Sequence, residues 1–240
     1  MSDTMPPGDA QVETPDPDIV RAVFGPQEPV IRAYADILAT RGITWGLMGP
    51  RETPRLWERH LFNCAAMMDL LPHGCTVADV GSGAGLPGLV LAIGRPDVRV
   101  SLIEPLQRRV NFLELAVAEL DLGERVEVLH GRAEEFDPGV GFDVVTSRAV
   151  GALTKLIGWC LPLVRRSGVD RGGADRGGAD RGGEILALKG ASAIAEVEKA
   201  TKELRKAGLR AEVLNVRADP RTEPTTVVRL IRTGRPHVSA

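Results

Sequence analysis

Aromatic side chains are scarce. Five Phe, three Trp and one Tyr make up 4% of 240 residues, so platforms for stacking single-stranded nucleic acid are few. Cysteine is scarce too. Cys64, Cys75 and Cys160 are odd in number, far apart and form no C-x-x-C pair. That argues against a disulfide framework and a structural zinc site, and for a reducing, cytoplasmic setting. No apolar run approaches eighteen residues, and no apolar segment follows a basic start at the N-terminus. Neither a membrane span nor a secretory leader is expected. The four histidines suggest no metal cluster, and no Ser/His/Asp or Cys/His set stands at a meaningful spacing. A catalytic dyad and a metal are therefore not expected.

A strong charge of either sign is also missing, since the formal net charge is −2. Its distribution is uneven. Residues 1–28 carry six acids and one base, while residues 201–240 carry nine Lys/Arg against four Asp/Glu. A local basic face is compatible with this, but on charge alone a solvated mixed surface is the better explanation. Residues 1–28 are rich in Pro, Asp and Gly and read as a disordered acidic tail. Residues 170–183 repeat DRGGA. They are too Gly-rich for a helix and read as a low-complexity surface loop, which long-loop closure tolerates.

The rest is patterned. Apolar residues at helical spacing predict helices over about 30–40 and 53–71. From Thr76 the pattern changes to short β-rich segments at 76–80, 98–103, 125–129, 142–146, 184–188, 211–216 and 225–231. Helical stretches at about 87–94, 106–121, 152–165 and 191–207 separate most of them. Such alternation implies right-handed βαβ units in a mostly parallel α/β sheet. The short link 218–224 has no room for a crossover helix, so the last strand is expected to be antiparallel. The expected organisation is N-terminal helices over 29–73 and a sheet-and-helix core over 74–234, together one domain.

The most informative stretch is Val77 to Ile93, VADVGSGAGLPGLVLAI. A strand runs into Gly81, Gly83 and Gly85, and Leu86-Pro87-Gly88 opens a helix. Glycines permit the sharp turn and let a ligand approach backbone N–H groups. Pro87 suits the first helical position, and the helix N-terminus favours a carboxylate. The run also matches the dinucleotide pattern G-x-G-x-x-G. Asp79 two residues before the first glycine, and the lack of a second domain, favour instead a methyl-donor site of Rossmann-like methyltransferases. Glu104 ends the second strand nineteen residues after Gly85, where a carboxylate can accept from ribose hydroxyls. These residues alone leave small-molecule, protein and nucleic-acid acceptors open. They also leave a nicotinamide oxidoreductase and a non-catalytic RNA-binding module as competitors.

Longer stretches carry a resemblance. Glu58-Arg59-His60, DVGSGAGLPGLVLAI, Gln107-Arg108-Arg109-Val110-Asn111-Phe112-Leu113, GRAEEF, Phe142 to Ala149 and Ala187-Leu188-Lys189-Gly190 together resemble the RsmG (GidB) family. Those enzymes methylate guanine N7 in 16S ribosomal RNA. The resemblance runs from about residue 30 to 232. It implies a class I methyltransferase fold, with a seven-stranded sheet and a helical N-terminal extension. It implies S-adenosylmethionine as cofactor, 16S RNA of the small ribosomal subunit as partner, a monomer, and a link to streptomycin susceptibility. By position, Gly81, Leu86, Ala133, Glu134 and Arg148 would bind the cofactor and Glu104 its ribose, with Arg148 also positioning the reaction; Gly83 and Gly85 join them as the other glycines of the turn. Arg59, His60 and Lys189 would face RNA. Two departures stand out: Glu104 where the family often has Asp, and Asn63-Cys64 where it commonly has Asp-Ser.

Overall fold

The computed structural model describes residues 14–149, 151–167 and 182–233. Helix α1 (Pro17–Phe24) is capped by the Asp16 carboxylate and has Pro17 at its start, both favourable N-terminal features. Helix α2 (Glu28–Ile37) follows after one 3₁₀ turn. The expected disordered tail 1–28 is therefore corrected over its second half. Val20 and Phe24 are buried in the core, and burying them offsets the ordering of a polar segment. Residues 1–13 lie outside the described residues, as does the DRGGA repeat apart from Gly182 and Gly183.

The expected helix over 53–71 is also corrected. A 3₁₀ turn with Pro54 inside it (Pro50–Arg55) gives way to a π-helical turn (Trp57–Phe62). The short α3 (Asn63–Ala65) and another 3₁₀ turn (Met68–Leu70) follow. Pro54 lacks the N–H that a regular helix needs. The widened π turn still buries Trp57, His60, Leu61 and Phe62 together.

The core is one seven-stranded sheet. Its strands are β1 (Thr76–Val80), β2 (Arg99–Glu104), β3 (Val126–His130), β4 (Val144–Arg148), β5 (Glu184–Leu188), β6 (Leu209–Val216) and β7 (Thr225–Arg232). Their order is β3-β2-β1-β4-β5-β7-β6. The first five are parallel, and β7 runs antiparallel to both β5 and β6. Helices α4 (Gly88–Gly94), α5 (Gln107–Glu119), α6 (Leu153–Cys160), α7 (Ala193–Lys199) and α8 (Thr201–Ala207) connect them. Each expected strand is present within a residue or two of its bounds.

Side chains along the inner strands alternate between two buried layers, as a sheet covered on both faces requires. Val77 and Leu186 face α1, α2, α4 and α5, whereas Ala78, Ile185 and Ala187 face α6, α7 and α8. The chain builds outward from β1 to β3, then returns to add β4 beside β1. Strand connections diverge at the C-terminal ends of β1 and β4. Parallel α/β sheets open a crevice at such a switch point.

Candidate active site

A cavity of about 650 Å³ opens at that switch point, within the range that holds a small organic ligand. Its floor is Val80 to Ala84, its wall on the β2 side is Ile103 to Leu106, and Gly131 to Glu134 after β3 close one end. Arg148 and Ala149 at the end of β4, with Trp159, stand opposite. His60, Leu47 and Met48 reach in from the N-terminal segment.

The floor exposes backbone. Gly81, Gly83 and Gly85 all have positive φ. A Cβ on Gly83 would meet nothing closer than the Gly81 carbonyl at 3.9 Å, so the loop offers main chain directly to the cavity. Two clamps hold it. The buried Tyr34 hydroxyl on α2 donates to the Ala84 carbonyl at 2.7 Å. The Gly83 N–H donates to Glu104 Oε2 at 3.0 Å, and Leu106 N–H donates to Oε1 at 3.1 Å. Glu104 is buried, with Arg109 at 3.6 Å from its carboxylate. Two backbone donors leave lone pairs on both oxygens for further hydrogen bonds.

Asp79 lies beneath the loop, fully buried. Oδ2 accepts from the Gly88 N–H at 3.0 Å, while Oδ1 has no hydrogen-bond partner among the described residues. Burial pushes its pKa up to about 7. Its own side chain thus occupies the start of α4, correcting the expectation that this terminus awaits a ligand carboxylate. Pro87 is the residue before the helix rather than its first.

The raised pKa has a sign. Between about pH 4 and 7 folded Asp79 keeps a proton that the unfolded chain has released, so its contribution to stability falls as pH rises. His60, whose pKa burial and Arg148 lower to about 4, acts oppositely between about pH 4 and 6.5. The difference between wild type and D79N separates the two. Wild type should lose stability relative to D79N by a few kcal/mol from about pH 5 to 8, read as the gap between their melting temperatures. A gap constant with pH would show that Asp79 does not titrate there.

Arg148 is the most heavily engaged group at the cavity. Its guanidinium donates to His60 Nδ1, to Cys64 Sγ at 3.3 Å and to the Arg59 carbonyl at 3.4 Å. His60 Nε2 meets Glu52 Oε2 at 2.8 Å.

The family model for GidB, rRNA small subunit methyltransferase G, matches residues 27–170. The chain belongs to the GidB family. It is 49% identical to Ribosomal RNA small subunit methyltransferase G of Salinispora tropica, over 91% of this chain and 88% of that one. It is likewise 49% identical to the protein of that name from Thermobifida fusca, over 89% and 84%. Among solved structures, a SAM dependent methyltransferase from Aquifex aeolicus superposes with a TM-score of 0.53. It is 20% identical and covers 75% of this chain and 94% of that one; this likeness concerns the fold.

Gly81, Gly83, Leu86, Glu104, Ala133, Glu134, Arg148 and His60 all line this GidB-family cavity. Three expected site residues do not. Gly85 packs under the loop against Leu89 and Tyr34. The Arg59 side chain turns outward toward Glu52 at 3.5 Å, and only its carbonyl reaches Arg148. Lys189 is spent elsewhere: its side chain is 6% exposed, and its ammonium pairs with Glu196 at 2.9 Å and bonds the Gly151 carbonyl. An ammonium so enclosed is not available to an RNA phosphate. Glu52, Arg109 and Trp159 were not anticipated. Glu52 gives no motif signal, since it meets His60 across an irregular segment rather than along a helix face. Among the described residues no metal-binding cluster occurs and no helix is long and apolar enough to cross a membrane.

Proposed function

We propose that the chain transfers a methyl group from S-adenosylmethionine to N7 of a guanine in the 16S RNA of the small ribosomal subunit. The observation that carries this is the pairing, across one cavity, of a glycine floor and buried Glu104 with Arg148 held opposite. Family membership supports the ribosomal acceptor, since the relatives bear that substrate in their names.

The residues fit the cofactor. Glu104 retains acceptor capacity for a ribose, apolar Ile103, Leu106 and Ala133 suit a purine, and the Gly81–Gly83 backbone approaches without side chains. Once bound, S-adenosylmethionine supplies an already activated methyl group. N7 of guanine has an in-plane lone pair and carries no proton, so no residue need remove one. The cavity agrees: His60 is its imidazole, and both ring nitrogens are engaged. What remains for the chain is orientation of the acceptor and a fixed electrostatic frame. Arg148, which lines the cavity at the end of β4, is assigned to the acceptor. The guanine has to leave its stack to get there, which favours a base in an exposed loop.

The test is transfer from labelled S-adenosylmethionine to small subunits, and to naked 16S RNA, both lacking the modification. The product is mapped by chain cleavage at N7-methylguanine, and a single cleavage in one loop is expected. No incorporation into either RNA, by protein that binds S-adenosylhomocysteine, would sink the ribosomal assignment. Glu104→Ala should weaken S-adenosylhomocysteine binding about 30- to 100-fold, since a ribose loses a charged acceptor. Isothermal titration checks this, and an unchanged affinity would remove Glu104 from the cofactor site.

A further inference from the structure

Three groups form a chain of contacts that ends at the cavity wall, where His60 and Arg148 line the cavity and Glu52 stands behind His60. Glu52 lies in the 3₁₀ turn Pro50–Arg55, His60 in the π turn Trp57–Phe62, and Arg148 at the end of β4. A guanidinium only donates hydrogen bonds. His60 Nδ1 must therefore present its lone pair to Arg148, which leaves the ring hydrogen on Nε2, donating to Glu52. Both contacts specify the same neutral tautomer.

We propose that Glu52 and His60 are positioning residues for Arg148: the carboxylate fixes the imidazole tautomer, and the imidazole lone pair holds the guanidinium against the cavity wall. The inference rests on the reading above, in which Arg148 meets the acceptor. A free arginine loses considerable rotamer freedom when it engages. Here that freedom is surrendered before the acceptor arrives, so the frame is set in advance. The groups facing His60 are Arg148 and Arg59, which disfavour its protonation, and Glu52, which favours it. Burial and Arg148 prevail and keep the ring neutral near pH 7. Protonated His60 would turn an N–H toward Arg148 and release it.

Imidazole ¹⁵N spectra of substrate-free protein, kinetics on small subunits and S-adenosylhomocysteine titration together test the proposal. Wild-type His60 should show the Nε2–H tautomer at pH 7. In E52A the two tautomers should mix and kcat fall about tenfold, with the S-adenosylhomocysteine Kd within about threefold of wild type. E52Q keeps an acceptor for Nε2–H and should recover most of both losses. An E52A protein with a single Nε2–H tautomer and undiminished kcat overturns the proposal. So does E52Q as impaired as E52A with an equally lowered melting temperature, since the pair would then be purely structural. The spectra need no RNA. Failure of wild type to methylate subunits would count against the proposed function, while the tautomer comparison still decides whether Glu52 orients His60 toward Arg148.

Discussion

Arg148→Ala should reduce methyl transfer to small subunits by about 100- to 1000-fold while leaving the fold intact. Arg148 is only partly buried, and its removal creates no large apolar void. It does leave His60 Nδ1 and Cys64 without their donor. The loss should fall mainly on kcat, because Glu104, the proposed ribose acceptor, ends β2, separated from Arg148 on β4 by the intervening β1. Arg148→Lys should recover little, since one ammonium cannot reach His60, Cys64 and the Arg59 carbonyl with a planar fork. A second signature is independent of activity. Arg148 is among the causes lowering the His60 pKa, so in the alanine variant that pKa should rise toward the ordinary histidine value. Retention of more than a tenth of wild-type transfer would place Arg148 outside the reacting site.

Gly85→Val should abolish S-adenosylhomocysteine binding and lower the melting temperature by about 10 °C. Gly85 has φ +95, a conformation that a β-branched residue adopts only with strain. A Cβ there would stand 2.4 Å from Leu89 Cδ1, 2.8 Å from Leu89 Cγ and 2.9 Å from the Tyr34 hydroxyl. Leu89 and Tyr34 are both fully buried, so neither has space to retreat. Overpacking and the strained φ together amount to about 3–5 kcal/mol, a large share of a typical domain's stability. The displacement also pushes Tyr34 from the Ala84 carbonyl, freeing the floor of the cavity. Gly123→Ala is the control, since nothing lies within 4 Å of its added Cβ. Differential scanning calorimetry and isothermal titration read both effects. A Gly85→Val protein that melts and binds as wild type does would mean that the loop tolerates a different backbone.

What the sequence shows of this molecule depends on how local the determining physics is. The seven strands were legible because each has its own alternation and turn residues. The place of Glu104 at the cavity was legible because it ends the strand that follows the glycine turn, and the family resemblance is borne out by the matched residues 27–170. Contacts made across irregular turns left no such trace. Lys189 reads as a free cation at a strand end until Glu196 folds back against it. Helix α1 carries Ile19, Val20, Val23 and Phe24 at helical spacing, all packed on the core, but the Pro and Asp residues around this short run mask it in the composition. Glu52 gives no signal, because its partner is reached through a 3₁₀ turn and a π turn whose spacing fits no helical period.

The position of β7 has a consequence for the chain during synthesis. Although it is the last strand among the described residues, it is an inner strand, hydrogen-bonded to β5 on one side and β6 on the other. Until residues 225–232 leave the ribosomal tunnel, β5 presents a bare row of N–H and C=O groups, and β6 has no neighbour in the sheet. An emerging or prematurely terminated chain therefore carries an open, apolar strand edge, the kind of surface that chaperones cover and that drives aggregation. Premature stop codons anywhere before this strand should yield insoluble product rather than a slightly shortened enzyme.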